Sequence, residues 1–180
     1  MENRDKDPIQ FLHDLYKGEQ YKVFGYNIFN DQNDTIIDYS LKDTNQKKII
    51  IKRKNVLRQY MSLKIAQKTD IWISIKRKAI PVEEKKVYFD SQEFLSYLKM
   101  INGFYNKLEN YLGITGQNYF LLYYEDLFRD IYASLKNVAE FLDVSNNFAL
   151  GNKMEKQNPE PLEDIVINYA ELKSFIDGCL

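Results

Sequence analysis

The sequence predicts an α/β protein: a parallel sheet flanked by helices. Two observations carry that reading. Short β-branched or aromatic runs, Ile49 to Ile51 and Tyr119 to Tyr123, alternate with longer amphipathic stretches, and such alternation implies a sheet covered by helices on both faces. The chain has 180 residues, 44% hydrophobic and 28% charged, which suits one soluble domain with a real core, residues 1–180.

The elements follow in order. Asp7-Pro8 is a helix start, with Asp7 as N-cap and Pro8 at the first helical position, and Ile9, Leu12 and Tyr16 share a face up to about Gly18. His13 lies in this helix as an ordinary surface histidine. Tyr21 to Phe29 reads as a strand, with Gly25 marking a bulge or close backbone approach. Asn30 to Gln46 is a polar connection that can hold a short amphipathic helix. Ile49 to Ile51 has the pattern of a strand buried on both faces, and Asn55 to Lys68 is helical. Asp70 to Phe89 reads as a loop carrying Lys76-Arg77-Lys78, with an extended piece from Lys86 to Phe89. Asp90 and Glu93 resemble a capping box, and the next helix runs to about Gly113 with Phe94, Leu95, Leu98, Ile101, Tyr105 and Leu108 on its apolar side. Tyr119 to Tyr123 is a buried strand, followed by a helix to about Leu142 and a last one from Leu162 to Ile176.

The candidate site is the turn after the strand at Ile49. Lys52, Arg53 and Lys54 open a helix on which Asn55, Arg58, Ser62 and Ala66 share one face. Between Asp43 and Glu83 lie eleven Lys or Arg residues and one acid, Asp70. Backbone N–H groups and the helix dipole attract an anion at such a position, and Arg53, Lys54 and Arg58 add full charges. Net charge is −1, so the patch suits a local anion rather than a nucleic acid. The one cysteine, Cys179, and the one histidine exclude an internal disulfide and a multi-Cys or multi-His metal site. No stretch reads as a membrane span or a signal peptide. Solvated charge is the competing explanation for the basic stretch, helix-dipole complementarity for Glu125 and Asp126, close packing for Ser62, and core cover for Trp72.

Three motifs, in order, resemble the sulfotransferases that use 3′-phosphoadenosine-5′-phosphosulfate, in particular bacterial relatives of the trehalose and Nod-factor enzymes. KRKNVLRQYMSLKIAQKT is similar to the segment that binds the nucleotide 3′-phosphate, implying Arg53 or Lys54, with Ser62, as phosphate ligands. FLLYYEDL is similar to a strand end whose tyrosine, matching Tyr124, lies near the adenine. KQNPEPLEDIVINYAELK is similar to a C-terminal segment whose Lys156 and Gln157 close over the nucleotide. The resemblance covers about Asp7 to Ile176. It implies a P-loop-NTPase-like sheet, the phosphosulfate as sulfuryl donor, no metal, a sugar, lipid or other hydroxyl acceptor, and a cytoplasmic location. The family's N-terminal strand, PRSGT-type loop and helix have no counterpart here, and Gly25-Tyr26-Asn27 stands where relatives carry Gly-Phe-Lys. The expectation is a truncated sulfotransferase-like domain that catalyses no transfer alone and that is poorly soluble, self-associates or depends on a partner chain for the missing segment. The alternative is a remnant or nucleotide-binding module without transferase activity.

Overall fold

The computed structural model describes residues 6–17, 23–30, 32–72, 80–147 and 156–178. Lys76-Arg77-Lys78, Cys179 and the first two residues of the expected strand at Tyr21 lie outside them. The chain forms two compact units, one built from Met1–Lys48 and Ile101–Tyr119, the other from Ile49–Met100 and Phe120–Leu180.

In the first unit, α1 (Pro8–Lys17) starts as the sequence dictates: the Gln10 N–H donates to Asp7 Oδ1 at 2.9 Å. α2 (Asp34–Lys42) is the helix of the polar connection, and Asn33 caps it by accepting from the Ile36 N–H at 3.0 Å. Leu12, Ile36, Ile37 and Leu41 are buried. His13 Nε2 lies 3.3 Å from the Tyr39 hydroxyl. Residues 23–29 form no strand. Val23 and Phe29 are exposed, while the Tyr26 hydroxyl is anchored by Ser40 and Gln46 at 2.7 and 2.8 Å. The Tyr26 hydroxyl thus ties this stretch to α2 and to the turn after it. A Cβ on Gly25 would meet nothing within 4 Å, so no close approach requires that glycine.

The second unit holds all but the first residue of each strand of a parallel two-stranded sheet, β1 (Lys48–Lys52) beside β2 (Tyr119–Tyr123), flanked by helices. Each strand leads into a helix: α3 (Val56–Thr69) after β1, and α6 (Tyr124–Arg129) then α7 (Ile131–Leu142) after β2. The strands are less enclosed than their composition implied, with Ile50 buried but Ile51 51% exposed. The single helix expected after Tyr124 breaks at Asp130, whose side chain caps α7 through the Ala133 N–H at 2.9 Å. Asp90 starts α5 (Ser91–Ile114) by accepting from the N–H groups of Gln92 and Glu93 at 2.9 Å. Glu93 turns instead to Lys64, at 2.9 Å, so only half of the capping box forms.

The tail helix is also interrupted. α8 (Leu162–Ile165) and α9 (Tyr169–Gly178) are separated where Val166 becomes extended and pairs in parallel with Val87. The Val87 N–H donates to Ile165 O and the Ile167 N–H to Val87 O, both at 2.9 Å. The Asn168 side chain continues the pattern: it accepts from the Phe89 N–H at 2.8 Å and donates to Phe89 O at 2.9 Å. Helical periodicity at Leu162 to Ile176 is real, but satisfying the backbone of Val87 and Phe89 outweighs its continuity. Tyr60, Met61, Ile65, Val87, Phe89, Phe94, Ile165, Val166 and Leu172 form the core. α4 (Val82–Lys85), which the loop reading missed, follows Pro81.

Candidate functional site

The site lies in the second unit, where the carboxyl ends of β1 and β2 release their chains. Open α/β sheets bind ligands at this end of their strands. β1 delivers the turn Arg53–Asn55. Asn55 turns the chain into α3 by accepting the Arg58 N–H at 2.8 Å. β2 delivers Tyr124, Glu125 and Asp126.

These two strand ends are joined directly. Glu125 reaches across the sheet and accepts the N–H of Lys54 at 2.9 Å and of Asn55 at 3.3 Å, one on each carboxylate oxygen. Asp126 Oδ1 takes the Lys54 ammonium at 2.9 Å and the Arg129 guanidinium at 3.0 Å. Burial pushes the Glu125 carboxyl up, but the N–H groups donating to it, with the Arg53 charge, outweigh burial and hold it below its usual range. The Asp126 carboxyl is lowered, chiefly by its hydrogen bond from Lys54. Two backbone donors of the turn, those of Lys54 and Asn55, are therefore engaged by the chain's own carboxylate. Asp126 also stands in the first turn of α6, where its charge suits the dipole.

Arg53 and Lys54, equivalent in sequence, separate here. Lys54 is ion-paired. The Arg53 guanidinium lies 3.7 Å above the centroid of the Tyr124 ring and, among the described residues, makes no ion pair. A stacked guanidinium keeps its N–H edge available for a planar, two-pronged contact with an oxyanion.

The third segment arrives as a strap across the polar face of α3. Asn158 donates to Ser62 Oγ at 3.0 Å, and Arg58 donates to the backbone oxygen of Glu160. Lys85 fastens it from α4: it is 4% exposed, with its ammonium 2.6 Å from Glu160 Oε1 and 3.2 Å from Gln157 O. Lys156 Nζ sits 5.6 Å over the Phe128 ring, which contacts Tyr124 at 4.8 Å between centroids. Arg53, Tyr124, Phe128 and Lys156 thus form one row. The Gln157 side chain turns away and donates to Ile71 O at 3.0 Å.

Of the residues singled out in sequence, Arg53, Lys54, Tyr124 and Lys156 come together, Ser62 lies under the strap, and Gln157 serves the strap's fastening. Glu125, Asn158, Lys85 and Glu160 went unassigned. For Glu125 a signal existed, an acid in the first turn of a helix that follows a strand, but its partner is 70 residues away in sequence. Trp72, expected to cover the core, is 57% exposed. Among the described residues no group of His, Cys, Asp or Glu is arranged to hold a metal, and no helix is long and apolar enough to cross a membrane. No protein-family model, curated protein or solved structure matches the chain.

Proposed function

We propose that this is a sulfotransferase-family chain with a P-loop-NTPase-like sheet, and that its strand ends hold the adenosine and 3′-phosphate of 3′-phosphoadenosine-5′-phosphosulfate. The observation that carries the reading is the meeting of all three motifs at the carboxyl ends of β1 and β2. Arg53 rests on Tyr124, Lys156 closes the row through Phe128, and Ser62 is bonded to the strap. These residues fit the nucleotide side of the donor. Arg53 suits the phosphate as a charged, planar donor, Ser62 suits it as a hydroxyl donor, and Tyr124 suits the adenine ring by stacking. The donor, when bound, supplies the sulfuryl group that passes to a hydroxyl of a sugar, lipid or other acceptor. A partner chain carrying a PRSGT-type loop is the proposed source of the contacts to that group, and the cytoplasm is the proposed location.

The second reading is a nucleotide-binding module without transferase activity. Glu125 favours it, because it occupies the backbone N–H groups of Lys54 and Asn55. One experiment separates the two. The purified chain, mixed with a chain that carries a PRSGT-type loop, is incubated with labelled donor and a panel of sugar and lipid acceptors, and nucleotide binding is measured by calorimetry on the same sample. Transfer of label supports the enzyme, and binding without transfer supports the module. No binding of 3′,5′-adenosine bisphosphate rejects both.

A further inference from the structure

We propose that Glu125 is the positioning residue of the phosphate site: it ties the turn after β1 to the end of β2 and so holds Arg53 in place for the nucleotide. The inference rests on the nucleotide reading above and concerns how that site discriminates.

The geometry makes the argument. Two adjacent backbone N–H groups, of Lys54 and Asn55, share one carboxylate that comes from a separate strand. A two-oxygen acceptor spanning consecutive amides fixes both the position and the rotation of the turn, since two bonds define an axis where one leaves a swivel. The residue before Glu125 is Tyr124, and the residue before Lys54 is Arg53. The clamp therefore lies beside the stacked pair and sets its spacing, 3.7 Å from guanidinium to ring centroid. Charge follows the same logic. Asp126 is satisfied by Lys54 and Arg129, which leaves Arg53 as the cation of the turn without a carboxylate partner, among the described residues. Discrimination between a nucleotide with a 3′-phosphate and one without it then depends on Glu125, although Glu125 touches neither.

The test uses Glu125→Ala and Glu125→Gln. Affinities for 3′,5′-adenosine bisphosphate and AMP are read by calorimetry, and backbone exchange at Lys54 and Asn55 by NMR. Glu125→Ala is expected to weaken the bisphosphate about ten-fold, as for the loss of one charge-assisted contact. AMP affinity should stay unchanged, and exchange at both amides should accelerate. Glu125→Gln keeps one acceptor oxygen and should fall between. Tighter bisphosphate binding in Glu125→Ala would overturn the proposal, because Glu125 would then be a competitor that blocks the site. Equal weakening for both nucleotides would overturn it too, as the mark of a general structural role. So would a lost preference with unchanged exchange at Lys54 and Asn55. If the wild-type chain shows no preference for the bisphosphate, the nucleotide reading fails. If wild type prefers it and Glu125→Ala keeps that preference, only the role of Glu125 fails.

Discussion

Replacing Glu160 by alanine should destabilise the second unit by about 3–5 kcal/mol, the range for breaking a buried ion pair from one side. Lys85 is 4% exposed and its ammonium contacts Glu160 Oε1 at 2.6 Å. Without the carboxylate, the ammonium keeps only the Gln157 carbonyl at 3.2 Å. At about 2–4 °C per kcal/mol for a chain of this size, the melting midpoint should drop by about 6–20 °C. Lys85→Met should cost a similar amount, about 3–5 kcal/mol, because it leaves the Glu160 carboxylate, whose Oε2 is already buried without a hydrogen-bond partner, uncompensated. The double variant Lys85→Met with Glu160→Met removes both charges and should regain most of the loss. The cycle is measured by urea unfolding followed by far-UV circular dichroism. A loss below about 1 kcal/mol for Glu160→Ala, with no coupling to Lys85→Met, would show a solvated pair. The strap would then not be fastened in the way described.

Other expectations follow from the same geometry. Met61 is 0% exposed in the core, so Met61→Ala should cost about 2–5 kcal/mol, read from the same unfolding curves. Asn168→Ala leaves both the N–H and the C=O of Phe89 without their side-chain partner, and should cost about 1–3 kcal/mol, with faster amide exchange at Phe89. The carboxyls of Glu125 and Asp126 are lowered in the folded chain. The stability they contribute is therefore present above the unfolded carboxylate values, about 4, and is lost as pH falls through the lower folded values. A melting series through that acid range should show a smaller loss for Glu125→Gln than for wild type.

Local signals in the sequence translated well. Asp7 and Asp90 cap the helices they precede, because a short acceptor side chain at a helix start acts within three residues. The strands at Ile49 and Tyr119 and the helix between Asn55 and Lys68 also form. What failed depended on distant partners. Tyr21 to Phe29 has strand composition, yet its described part is fixed by the Tyr26 hydroxyl on Ser40 and Gln46. The tail reads as one helix until Val87 draws Val166 into an extended pairing. The β-branched run predicts an interior Ile51, but the described sheet leaves it half exposed.

The candidate site divides in the same way. Arg53, Lys54, Ser62 and Tyr124 were visible as residue types at a helix start and a strand end. Which cation is available was not visible. That depends on Asp126 and Glu125 arriving from β2, at 72 and 71 residues from Lys54. Nor could spacing show that Gln157 faces Ile71 rather than the row of Arg53, Tyr124, Phe128 and Lys156.

The central claim is that Arg53, stacked on Tyr124 at the end of the sheet, recognises the nucleotide 3′-phosphate. Calorimetry of 3′,5′-adenosine bisphosphate and AMP against wild type, Arg53→Ala and Lys54→Ala tests it most directly. Wild type should prefer the bisphosphate, and Arg53→Ala should lower its affinity by about ten- to a hundred-fold while leaving AMP unchanged. Lys54→Ala, whose ammonium is already held by Asp126, should have the smaller effect. Equal affinity for the two nucleotides in wild type, or an Arg53→Ala variant that binds the bisphosphate as tightly as wild type, would contradict it.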